Sequence, residues 1–425
     1  MKKASLLKVR TAFGVVEYRL SNGLRVLHKR ERAAPVVAVC VTYHVGSRNE
    51  AKGHTGSTHL LEHLLFKDTE KFNGLNGNAI TNYLEWFGAY MNATTSLDRT
   101  NYFELLPREH LSEALSLEAD RMRNSLFSEK DLRSEMPVVR NEFERSRNNP
   151  FELLDEAVFE RAFTVHPYRI PTIGTKEDIE HTNRTKLREF YDTFYWPNNA
   201  TLAVFGDVSL AEVRCLVLKY FAPIPSSPHP IPSMKIREPL QKKARSVLLK
   251  KPLGVTIISL AYKIPKGKHR DYPALLALGT ILGEGFSSRL TGALVDTGLA
   301  AEINVSVPAL HDEGVLTITA HAAHGVLPAR VLSHMRRAVA LLSQKIPAER
   351  ELAQAKERLL SQMASERDGI LSEIRMVSEG IAAGDWTLGY TIERSIVALC
   401  PQDIARVGKA YLKSERETAG ILKPS

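Results

Sequence analysis

Alternation of apolar and polar residues predicts β-structure early in the chain. Residues 15–20 and 24–29 are short alternating runs, and Ser21, Asn22 and Gly23 between them supply turn chemistry, so a hairpin is expected. A longer β-branched run over 36–45 ends at Gly46 and Ser47, and a polar loop then leads to an apolar block predicted to be helical around residues 59–66. Residues 78–87 read as a helix closed by Gly88, followed by strands at 89–95 and 101–106 across a turn at Ser96, Leu97, Asp98 and Arg99. From about Arg108 the periodicity is helical. Ser128 and the acidic residues behind it open a helix over 129–147, which Asn149 and Pro150 stop. Helices at 152–163 and 177–194, a strand at 200–205 and a helix to about Tyr220 complete this half.

Prolines 223, 225, 228, 230, 232 and 239, with serines among them, make a stiff linker and the clearest boundary in the chain. Beyond it the order of elements restarts. Residues 246–250 and 255–262 echo the early strands, and the apolar helix predicted at 273–282 echoes the 59–66 block without a metal-ligating side chain. The fold class expected is α+β: two tandem homologous α+β domains, each a mostly antiparallel sheet covered by helices and joined by the Pro-rich linker. The expected boundaries are 1–222 and 241–425 around a linker at 223–240. A length of 425 residues suits this division, at about 100–200 residues per domain.

Composition narrows the function classes. Charged residues are 25% and hydrophobic residues 44%, and no apolar run approaches the roughly 18 residues that cross a bilayer, so no membrane span is expected. The net charge of +9 arises from 57 basic residues mixed with 48 acidic ones, without a long basic run or an RNA-binding aromatic motif. Nucleic acid is therefore not the expected partner, and acidic peptides or an acidic protein surface suit the charge better. Cys40, Cys215 and Cys400 are far apart, which argues against a disulfide framework and predicts small buried hydrophobes. The basic start at Met1, Lys2 and Lys3 is followed by Lys8 and Arg10 where a signal peptide needs an apolar core; the expected location is cytoplasmic by default, with the periplasm as the alternative.

One short stretch carries chemistry. His59-Leu60-Leu61-Glu62-His63 places two histidines four residues apart, and at about 100° per residue a helix puts both on one face. Glu62 emerges beside that face, close enough to act as a base on water held by a metal without binding the metal itself. H-x-x-E-H is the inverted order of the zincin signature. Its bland counterpart is polar decoration of an amphipathic helix, but Leu60, Leu61, Leu64, Leu65 and Phe66 would bury the element, and buried histidines need partners. A catalytic zinc usually takes three protein ligands, so a third is required. Glu135 and Glu142 share one face of the 129–147 helix and offer a candidate pair, one for the metal and one behind a ligand; spacing alone leaves a solvated Glu- and Arg-rich helix as the other reading.

Further blocks add to the motif: residues 45–50, 59–66, 91–95, 135–142, His166-Pro167-Tyr168, and Pro197-Asn198-Asn199 before Gly206-Asp207-Val208. In this order the chain resembles the pitrilysin-type family of inverted zincins. The resemblance implies a zinc metalloendopeptidase with one zinc per chain, held by His59, His63 and Glu142. It assigns Glu62 as general base and Glu135 as the supporting carboxylate behind a metal ligand, and it places Asn92 and Ala93 on an edge strand that holds the substrate backbone, with Phe66 beside a side-chain pocket or filling the core. The family's second unit usually carries an arginine and, seven residues on, a tyrosine; the matching positions here are Leu294 and Ala301. That departure implies a two-chain chamber in which a homologous, non-identical subunit supplies the Arg/Tyr pair, with a homodimer as the alternative. A non-catalytic structural or peptide-binding family member is the competing functional reading.

Overall fold

The computed structural model describes residues 5–425, so part of the basic start, residues 1–4, lies outside the described residues. Among the described residues two sheets are present. The first has seven strands: β1 (Leu6–Ala12), β2 (Val15–Leu20), β3 (Arg25–Arg30), β4 (Val36–Tyr43), β5 (Tyr90–Thr95), β6 (Thr100–Pro107) and β7 (Ala200–Gly206), in the order β1-β2-β3-β7-β4-β6-β5. All its pairings are antiparallel except β3 with β7. The second has five: β8 (Arg245–Lys251), β9 (Ile257–Ile264), β10 (Ala300–Ser306), β11 (Gly314–Ala322) and β12 (Glu417–Pro424), ordered β10-β11-β9-β12-β8, with β12 and β8 the one parallel pair. Helices cover both sheets. The expected α+β class with mostly antiparallel sheets is what the chain adopts.

The hairpin of β2 and β3 forms as the alternation predicts, and Gly23 in its turn has φ +94°. The helix expected over 177–194 is two, Lys176–Glu180 and Arg184–Phe194. Asn183 interrupts it because its side chain accepts from the Lys186 N–H at 3.0 Å and starts the second helix afresh. The helix expected at 78–87 shortens to Ile80–Glu85. Of the three cysteines only Cys40, inside β4, is buried; Cys215 and Cys400 are exposed, so the expectation of buried sulfur fails at both.

The chain does not divide at one place. Among the described residues, one compact unit contains 5–143, 171–235 and 367–387, and the other contains 144–170, 236–366 and 388–425. The single boundary expected at the linker is thus one crossing among several. Two helices cause the difference. Pro150–Ala162 packs on β12, β9 and β8 of the five-stranded sheet. Its approach is close enough that a Cβ on Gly420 would lie 2.4 Å from Val158 Cγ2. Ile370–Ala382 packs on β4 and β7 of the seven-stranded sheet, and Trp386 behind it is fully buried with its indole N–H donating to Glu17 Oε2 at 2.8 Å. A helix's apolar stripe states that it must cover a sheet, not which one.

Candidate metal centre

The side chains that form this centre belong to the first unit. The motif helix, Ser57–Leu64, has only eight residues, too few to be stable alone. Its N-terminus is built by Glu50, whose buried carboxylate accepts from the N–H of Gly56 at 2.9 Å and of Thr58 at 2.7 Å. Burial pushes Glu50 up to about 8, against those two N–H groups, which favour its charged form. Gly56 sits at φ +85°, and a Cβ there would lie 2.4 Å from the Ile173 carbonyl oxygen, so the entry to the helix requires glycine. Thr55 is tied to Asp178, its hydroxyl donating at 2.6 Å. Leu60, Leu61 and Leu64 go into the core, which turns His59, Glu62 and His63 toward the opposite face.

His59 and His63 lie with ring centroids 4.8 Å apart and planes 72° to each other. The third member arrives from the Glu129–Asn148 helix: Glu142 Oε2 is 3.6 Å from His59 Nε2 and 3.6 Å from His63 Nε2. Among the described residues this trio alone brings three metal-ligating side chains together, with ligand atoms all within 4.8 Å of one another. At 3.6 Å these contacts are too long for hydrogen bonds. They suit a common ion, since ligands at about 2.0–2.2 Å around a tetrahedral centre stand roughly 3.3–3.6 Å apart. Burial, with His63 adding to it, lowers the His59 pKa to about 4, which keeps the imidazole neutral, the form that ligates. His59 Nδ1 is buried without a hydrogen-bond partner. Two imidazole nitrogens and a carboxylate form a donor set that fits zinc.

Glu135 lies two turns before Glu142 on the same helix. Its Oε2 is 3.2 Å from His63 Nδ1 and its Oε1 2.7 Å from Lys67 Nζ. A carboxylate acceptor at Nδ1 places the ring proton there and leaves the Nε2 lone pair toward Glu142. Burial works to raise the Glu135 pKa, but Lys67 and His63 hold it below the usual range.

Glu62 accepts a hydrogen bond at Oε2 from the Thr95 hydroxyl, and burial raises its pKa. Thr95 is the last residue of β5, the edge of the seven-stranded sheet, paired on one side only by β6. Asn92 and Ala93 lie on that edge, and the Ala93 N–H is met by the Asn92 side-chain oxygen at 2.8 Å. Phe66 is half-buried, 5.9 Å from the Tyr102 ring and 5.2 Å from the Arg121 guanidinium, so it packs on the core while keeping one side exposed. The structure therefore brings His59, His63, Glu142, Glu135 and Glu62 together and sets Asn92, Ala93 and Phe66 on neighbouring elements. Sequence reasoning missed Thr95, whose contact depends on where an edge strand ends and has no spacing signature.

A family model described as Insulinase (Peptidase family M16) matches residues 25–176, and one described as Peptidase M16 inactive domain matches residues 181–359. A zinc protease, PqqE, of Helicobacter pylori is 32% identical over 414 residues, covering 95% of this chain and 92% of its own length. The chain belongs to the M16 peptidase family. An uncharacterized zinc protease of Mycobacterium leprae is 30% identical over 320 residues, 75% of this chain and 71% of that protein. The crystal structure of a protease from Helicobacter pylori superposes on the M16 fold seen here with a TM-score of 0.91 at 29% identity, spanning 99% of this chain and 100% of the other. The motif helix and both carboxylates fall inside the first matched segment, while Leu294 and Ala301 fall inside the second.

Proposed function

We propose that this M16 protein is a zinc-dependent endopeptidase acting on peptides or unfolded polypeptides, with Glu62 as general base. The observation that carries the reading is the convergence of His59 Nε2, His63 Nε2 and Glu142 Oε2 on the face that also carries the half-buried Glu62. One zinc per chain would be held by those three side chains, and when bound it supplies Lewis acidity toward an amide carbonyl and makes water more acidic. Glu135 fixes the His63 ring through Nδ1. With Glu62 Oε2 occupied by Thr95, Oε1 is the oxygen that takes the proton of the attacking water. As the water oxygen bonds to the carbonyl carbon and the C–N bond breaks, Glu62 gives this proton to the departing nitrogen, leaving an amine and a carboxyl group that keeps the second proton of the water. The β5 edge at Asn92 and Ala93 pairs with the extended substrate backbone, and the exposed side of Phe66 flanks a substrate side chain.

Glu62→Gln is expected to bind zinc as the parent does and to lose about 10²–10⁴-fold in hydrolysis of an unstructured fluorogenic peptide. A chelator should abolish the parent's activity and added zinc restore it. Retained turnover by zinc-replete E62Q would remove the assignment.

Leu294 is fully buried and Ala301 is exposed on β10, and neither supplies a cationic or phenolic donor. We infer from this a two-chain chamber in which a homologous, non-identical subunit contributes the Arg/Tyr pair, a homodimer being the alternative. Turnover by the purified chain should be low and should rise when such a subunit is added. Full turnover by the single chain counts against it.

A further inference from the structure

Glu62 Oε2 accepts a hydrogen bond from the Thr95 hydroxyl. Thr95 pairs with Thr100 of β6, and the residue before it in β5, Thr94, is bonded by two side chains. Arg99 Nη1 donates to the Thr94 carbonyl at 2.8 Å and to the Thr94 hydroxyl at 2.5 Å, and that hydroxyl donates to Asn101 Oδ1 at 2.8 Å. Both ties continue into the Ile370–Ala382 helix. Arg99 Nε donates to Glu379 Oε1 at 3.0 Å, with Nη2 sharing the same oxygen, and Asn101 Nδ2 donates to Ser378 Oγ at 2.8 Å. Two successive residues of one helix thus end on Thr94. The Arg99 side chain is 9% exposed, and Asn101 and Ser378 are each 1% exposed. A guanidinium at that depth is tolerated because Glu379 neutralises it. The helix lies outside both segments matched by the family models, 25–176 and 181–359.

We propose that Glu379 and Arg99 are positioning residues for the base: they fix the end of β5 so that the Thr95 hydroxyl meets Glu62 Oε2 and leaves Oε1 toward water. The proposal rests on the reading of Glu62 as the base. It differs from a general stiffening of the β5–β6 turn, because orientation of a base affects the chemical step and leaves zinc and substrate affinity alone.

The test is a double-mutant cycle on the zinc-loaded protein with Thr95→Val, Glu379→Ala and their combination, following kcat, KM and bound zinc. Glu379→Ala should lower kcat on the order of 10-fold, with KM within about twofold and zinc content unchanged. Glu379→Gln should recover most of the rate, because its amide oxygen still accepts from Arg99. In the Thr95→Val background Glu379→Ala should add nothing, since the path to Glu62 is already cut. If E379A does not fold, Ser378→Ala breaks the second tie without uncovering a charge and takes its place in the cycle. Additive losses, a change confined to KM, or an unchanged kcat would overturn the proposal. E62Q assayed alongside separates the two ideas: an inactive E62Q with an additive cycle sinks the positioning role alone, whereas an active E62Q sinks the base and with it the relay.

Discussion

His63 is supported by Glu135, and Glu135 in turn by Lys67, whereas His59 Nδ1 has no such partner. Glu135→Gln should therefore weaken zinc binding by about 10–100-fold while the fold persists, measured by competition with a chromogenic chelator. Unchanged affinity would mean that Glu135 does not support the ligand. Much at this scale was legible. The histidine pair and Glu62 follow from the angular step of a helix, which sequence spacing fixes. Glu135 and Glu142 could be placed on a common face, but only resemblance tied that face to the histidines, because nothing in spacing says which helices meet. Thr95 and Arg99 were not legible as site residues. Their roles arise from contacts across the sheet and, for Arg99 and Glu379, from side chains 280 residues apart.

Among the elements, the loop after the Pro150–Ala162 helix has three successive N–H groups held by one acidic side chain. The Glu238 carboxylate, 3% exposed, accepts from the N–H groups of Thr164, Val165 and His166 and from the Thr164 hydroxyl. Burial would raise its pKa, but these donors outweigh burial and lower it from 4.5 to about 2. A carboxylate whose folded pKa is depressed contributes stability that is present above pH about 4.5 and lost as pH falls from there toward 2. Denaturant unfolding of the parent should weaken over that window. Glu238→Gln should lower stability at neutral pH by roughly 1–3 kcal/mol and flatten the acid dependence; an unaltered slope would show that another group is responsible. Six of the seven strands in the first sheet, and β8 and β9 in the second, were readable from alternation and β-branched runs, whereas β1, β10, β11 and β12 were not read. The split at Asn183 was less visible, since a cap residue inside a helical run looks like a polar position on the solvent face.

At the level of the whole molecule, the duplication was readable and the exchange of helices was not. Residues 144–170 complete the five-stranded unit, and residues 367–387 complete the seven-stranded one. A chain ending at Lys235 lacks the helix that covers β4 and β7, together with the buried Trp386, so it should bind a hydrophobic dye and melt without a cooperative transition. The intact chain cut by a protease within 223–235 after folding should instead keep its thermal transition, and the two fragments should elute together. Separation of the fragments under native conditions would contradict the exchange. On this expectation the order of events matters more than the bond: a break made before folding should be ruinous, and the same break made afterwards should go unnoticed. Each half acts as a clasp on the other, so the peptide connecting them serves mainly to deliver both parts to one place at one time.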